Sequence, residues 1–209
     1  MAELRAAGDR QIVGVAAFSR TVACVRFAKD ADKAPTITDR ITLMHMSAQA
    51  VESYDRVAVL CAEHGFNAPE EGEQFIGVLG DFDERTRPLD WPERVLKTSL
   101  GLGLLTDFAM GLVDGLEDPL RAALMSELAD SRLSQFTYDA LMPLISHDVS
   151  LAQRLGLWGR RVVGEEIGTL QRLLVTCPTL ISPDTDIEVV HAVLTQGATR
   201  RMQALGLNA

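Results

Sequence analysis

At 209 residues and 47% apolar side chains, the chain is long enough for one sizeable core and too apolar for disorder. Aromatic residues make up only 5%, beside plentiful Ala, Leu, Met and Arg, a balance that favours helices packed through aliphatic side chains. The formal net charge of −9 opposes sequence-independent binding to nucleic-acid backbones, and no run approaches the ~18 uninterrupted apolar residues of a membrane-crossing helix.

The N-terminal MAELRAAGDRQ lacks the apolar centre of a signal peptide, so a cytoplasmic location is expected. Cys24, Cys61 and Cys177 are far apart, form no CxxC pair and read as reduced, buried thiols. The first helix is predicted from about Gly8 to Asp32, with Ile12, Val15, Ala16, Val22 and Ala23 on one face. Arg20 and Arg26 fall among these apolar residues. A short turn, Lys33-Ala34-Pro35, implies an antiparallel hairpin with the next helix.

That second helix, Thr38 to Gly65, reads as the spine of the fold. Thr38 or Asp39 can cap it, and Gly65 ends it. Ile41, Met44, Ala48, Val51, Ala58 and Cys61 form its apolar stripe, widened by Leu43, Met46, Val57 and Leu60. A stripe this broad predicts burial on more than one side, along about 39 Å at ~1.5 Å per residue. The acidic connection Phe66 to Asp90, rich in Gly and Pro, suits a crossover along a bundle, with one short helix near Glu73 to Gly80. Its DFDER run lacks the spacing of a calcium loop.

Asp90-Trp91-Pro92 opens a third helix through Leu116, striped by Val95, Ser99, Leu102, Leu105, Ala109 and Leu112. Gly101 and Gly103 sit in mid-helix with no preceding strand, so close helix packing explains them better than a phosphate loop. A fourth helix runs from Asp118-Pro119 to about Asp148, with Pro143 bending or stopping its last turn. The fifth spans about Ser150 to Thr176. The sixth starts at Thr185, whose hydroxyl with Glu188 fits a capping box. The pattern contains no convincing strand and no repeat. The basic pairs Arg160-Arg161 and Arg200-Arg201 read as solvated or salt-bridged.

A di-metal site in a helical bundle needs two Glu-x-x-His pairs and two further carboxylates facing one cavity. Glu188-Val189-Val190-His191 is the only such pair in the sequence. His64 and His147 lie at helix ends, where an imidazolium and open carbonyls attract, and His45 reads as a surface residue. Asp55, Glu127, Gln135 and Glu165 fall on helix stripes, where the acids are expected to pair with Arg20, Arg26 or Arg161. No nucleophile elbow, Cys-His pair or Walker motif stands out, so no catalytic residue is assigned.

Five segments carry a family resemblance. They are LGLWGRRVVGEEIGTLQR (Leu155 to Arg172), ATRRMQALGLNA (Ala198 to Ala209), the hairpin Ala28 to Thr36, DERTRPLDW (Asp83 to Trp91) and LGLGLLTDF (Leu100 to Phe108). Together they resemble the actinobacterial ferritin-like proteins related to the tRNA 2-methylthio-isopentenyl-adenosine hydroxylases, which use a di-iron centre. The resemblance implies an all-α, ferritin-like four-helix bundle with two additional C-terminal helices, in one domain spanning residues 1–209. It sets Arg20 where the family has a first-helix Glu, Ala50 and Ser53 where it has Glu-x-x-His, and Leu133, behind Asp130, where it has a His; Asp107 is retained. An arginine in place of a carboxylate repels a cation. The expectation is therefore a non-catalytic scaffold or binding protein with no bound metal, whose partner is an unidentified protein or small molecule. In it Arg20 would pair with Asp107 or Glu127. Nucleic acid is disfavoured by charge, no membrane is involved, and a homodimer through an outer helical face is expected. The alternative is a di-iron oxygenase using Glu52, Asp55, Asp107, Glu127 and Asp130.

Overall fold

The computed structural model describes residues 2–129, 131–181 and 187–208, all of them in helices and connecting turns with no strand among them. Helices α1 (Ala2–Lys33) and α2 (Ile37–Glu63) form the hairpin that the short connection predicts. The cap of α2 lies earlier than the sequence suggests. Thr36 Oγ1 accepts the Asp39 N–H at 3.0 Å. At the far end Gly65 takes φ +79°, which lets the Phe66 N–H return to the Cys61 carbonyl at 2.9 Å.

The acidic crossover holds two short helices, α3 (Ala68–Glu73) and α4 (Gly80–Arg85), flanking the stretch where one was predicted. Phe75 and Phe82 are fully buried there and pin the crossover to the bundle. Helix α5 (Trp91–Val113) begins where Asp90 accepts the Glu93 N–H at 3.0 Å, with Pro92 in its first turn. The predicted fourth helix is two helices, α6 (Leu120–Leu128) and α7 (Arg132–Ile145), with Pro143 inside the last turn of α7. Helix α8 (Val149–Thr176) is capped by Asp148, which accepts the Leu151 N–H at 2.9 Å. A 3-10 turn (Pro178–Leu180) follows, and then α9 (Ile187–Ala204). Thr185 lies outside the described residues, and the predicted capping box lies there with it.

Helix α5, not α2, is the centre of the fold. Every residue from Val95 to Leu105 is buried, against α1, α6, α7, α8 and α9. Helix α2 buries only Leu43, Met46, Ala50, Ser53, Val57 and Cys61. Of its predicted stripe, Leu43, Met46, Val57 and Cys61 are in the core, whereas Ile41, Met44 and Val51 face outward, exposed by 47, 57 and 45%. The two stripes have the same three-and-four spacing and stand two positions apart, about 200° around the helix. Only one can meet α1. The four helices α1, α2, α5 and the α6–α7 pair make the bundle, and α8 and α9 pack alongside α5. Residues 7–33 and 91–113 have the length and mean hydropathy to cross a membrane, but 61 and 78% of their most apolar windows is buried inside this bundle. Core packing accounts for their apolarity.

Candidate functional site

The first-helix stripe carries a cation into the bundle. Arg20 is only 6% exposed, on the α1 face that looks towards α2 and α5. Its Nη2 donates to Thr106 Oγ1 on α5, and its Nε donates to the adjacent Ser19 Oγ, both at 3.3 Å. Around it lies a cavity of about 230 Å³. Phe27 and Ala23 of α1, Met46 and Ala50 of α2 and Leu102 of α5 give it an apolar wall. The break between α6 and α7 opens the opposite side, where Glu127, Arg132, Leu133 and Ser134 reach the cavity. Helix α9 adds Arg201.

Among the described residues, Asp107 and Glu127 are held by Arg201 and Arg56. Asp107 forms a bidentate pair with Arg201, at 2.6 Å to Nη1 and 2.8 Å to Nη2, while Nη2 also donates to the Gly103 carbonyl at 3.1 Å. This pair needs two glycines, because a Cβ at Gly103 would overlap Arg201 and one at Gly197 would overlap the Asp107 carboxylate. Close packing is thus the role of Gly103, as its mid-helix position predicts. Glu127 takes Arg56 Nε on both oxygens at 2.9 Å and accepts the Ser53 hydroxyl at 3.3 Å. The predicted pairing of Arg20 with Asp107 or Glu127 is therefore replaced by Arg201–Asp107 and Arg56–Glu127. Arg201 belongs to a segment that the sequence reading places near the tail, and only the crossing of α9 over α5 brings it inward.

The structure brings together the four positions that the resemblance sets against metal ligands: Arg20, Ala50, Ser53 and Leu133 all line this cavity. It does not bring together the alternative acids. Glu52 and Asp55 are exposed on the outer side of α2, Glu127 lines the cavity, Asp107 lies behind Arg201, and Asp130 lies outside the described residues. His45, His64, His147 and His191 are all exposed. His64 Nδ1 lies 2.9 Å from the Leu60 carbonyl, and His191 Nδ1 lies 3.0 Å from Gln171 Nε2. Gln135 also points out, donating to Asp139 at 2.8 Å. Among the described residues no group of three or more His, Cys, Asp or Glu could hold a metal ion. Guanidiniums and hydroxyls surround the cavity, and this donor set does not fit a di-iron centre.

A second charged cluster lies on the α8 side of α1 and α5. Glu166 is fully buried, and neither of its carboxyl oxygens has a hydrogen-bond partner. Burial pushes its carboxyl up to about 7, against the pull of Arg26 and Lys97. Those two cations turn instead to Asp83 of α4, at 3.0 and 2.8 Å, and both stand over the Phe82 ring. Sequence reading selects the neighbouring Glu165, which is only partly buried and pairs with Arg85 at 2.8 Å. The available signal is register: Glu166 stands four residues from Val162 and from Leu170, both in the core.

Comparison with known families agrees with this architecture. A family model, ferritin-fold-like, described as a ferritin-like domain of actinomycetes, matches residues 6–182. Comparison with curated proteins gives no match. The family match runs from α1 into the segment before α9 and stops short of Arg201. An all-helical bundle matched over that span establishes that this chain belongs to the actinomycete ferritin-like domain family.

Proposed function

We propose that this protein is a non-catalytic binding protein, related to the di-iron tRNA hydroxylase-like proteins, whose bundle centre has exchanged metal ligands for a cavity held by arginines and hydroxyls. The observation that carries this reading is the buried guanidinium of Arg20 at the cavity wall, where a metal would call for a carboxylate. Among the described residues Asp107 and Glu127 are engaged by Arg201 and Arg56, which supports the same conclusion. A small molecule bound in the cavity, or a protein bound over it, is the functional partner of such a bundle.

Elemental analysis of protein grown with ample iron tests the reading. The expected result is no stoichiometric iron or manganese, with Arg20→Ala lowering thermal stability. Near-stoichiometric metal that disappears when Asp107 and Glu127 are both changed to Ala would overturn it and restore the oxygenase.

A further inference from the structure

We propose that Glu166 is a pH-sensitive release for the α4 crossover: on ionising it draws away the two cations that hold Asp83, and α4 loosens from the bundle. This device is independent of what the central cavity holds. It starts from a shared set of partners. Arg26 of α1 and Lys97 of α5 are both buried, and both pair with the half-exposed carboxylate of Asp83, at 3.0 and 2.8 Å. Glu166 of α8 lies within electrostatic reach of the same two cations, yet is fully buried with no hydrogen bond to either carboxyl oxygen. Burying a carboxylate without hydrogen bonds costs far more than burying the neutral acid. The arrangement with both cations on Asp83 is therefore the one that suits protonated Glu166.

The two carboxyl groups are coupled through these cations. Burial raises the Glu166 carboxyl to about 7, and the negative charge of Asp83 adds to the shift. Linkage makes the effect reciprocal: an ionised Glu166 disfavours the docked Asp83 by the same free energy. It also offers Arg26 and Lys97 a partner in a drier setting, where attraction is stronger. Among the described residues the charged groups acting on Glu166 are Arg26, Lys97 and Asp83, with none from α7 or α9, which also pack on α8.

Helix α4 is suited to respond. Its six residues are too few to persist without packing. The Phe82 ring holds it against Gly101 of α5, beneath the same two cations, so moving them weakens two ties together. The remaining ties are polar and near the surface. Arg85 pairs with Glu165 at 2.8 Å, and Arg161 donates to the Arg85 carbonyl at 2.7 Å.

Amide hydrogen exchange on the full chain at pH 5 and pH 8, corrected for the intrinsic rate, tests the proposal. The Asp83 and Thr86 amides donate to the Leu79 and Phe82 carbonyls, and so report on α4. In wild type their protection should fall at the higher pH by about tenfold more than that of the α5 amides, which report global opening. Burial raises Asp30 as well, one turn along α1 from Arg26, so the assignment rests on variants. In Glu166→Gln the α4 and α5 amides should respond to pH alike. Asp83→Asn, at a half-exposed position, provides a second arm that leaves the core intact. It should lower α4 protection already at pH 5 and move the Glu166 carboxyl titration, followed by carbon NMR, down by about one unit. Three results would overturn the proposal: α4 and α5 losing protection equally in wild type, the extra α4 loss persisting in Glu166→Gln, or Asp83→Asn leaving both α4 protection and the Glu166 titration unchanged.

Discussion

Glu166 is the residue whose chemistry departs furthest from its ordinary solution behaviour. In the unfolded chain its carboxyl ionises near 4.5, and in the fold it keeps its proton up to about 7. The folded state therefore holds more protons than the unfolded state between those limits. Stability from this group is fully present below about 4.5 and is lost as pH rises through about 7. Asp30 shifts the same way, raised by burial although Thr98 and Arg94 hydrogen-bond to it, so total stability alone does not isolate Glu166. A comparison with Glu166→Gln does. Urea unfolding at pH 5 and pH 8 should show the variant gaining on wild type by about 2 kcal/mol at the higher pH, with little gain at the lower. Identical pH slopes in both proteins would mean that Glu166 does not carry a buried proton.

The legibility of each element depended on whether its cause was local. Asp90 opens α5 where the sequence places that helix, because a cap is settled within four residues, whereas the Asp148 cap of α8 lies two residues before the predicted start at Ser150. The break between α6 and α7 was not legible, since positions 129–131 hold no proline or glycine to mark it. Helix α2 misled for a different reason: both of its faces are apolar, and periodicity does not say which one meets α1. The cavity was half legible. The resemblance marked Arg20, Ala50, Ser53 and Leu133, whereas Arg201 and its glycine notch needed the crossing of α9. Glycines at such crossings are predictive in both directions. A methyl at Gly14 would overlap the Glu71 backbone carbonyl, where α1 meets α3, whereas Gly164 on α8 has nothing within 4 Å of that position. Gly14→Ala should therefore cost ~3 kcal/mol through overpacking, and Gly164→Ala should stabilise by about 0.5–1 kcal/mol. Thermal melts of the two variants that moved in the same direction would contradict these crossings.

At the scale of the whole molecule, the outer stripe of α2 is the feature that the bundle itself does not use. Ile37, Ile41, Met44, Ala48 and Val51 are all exposed, and their four-three-four-three spacing is that of a coiled-coil seam. We propose that a second copy of the chain covers it, with the two α2 helices antiparallel. A register centred between Gln49 and Ala50 sets Ala48 of each copy against Val51 of the other and Ile41 against Ala58. The same register sets Met44 of each copy against Asp55 of the other, so the seam carries one carboxylate near each end, and His45 lies near Glu52 of the partner subunit on its flank. A helical face this apolar is costly to leave in water, and a second copy is the one occupant guaranteed to match its spacing. Light scattering on the purified protein should give about twice the 22.8 kDa chain mass. The double substitution Met44→Lys and Val51→Lys should return it to the chain mass with unchanged helical circular dichroism, because both residues lie outside the core. A wild-type protein that stays at the chain mass at tens of micromolar, or a double variant that remains dimeric, would rule out this seam.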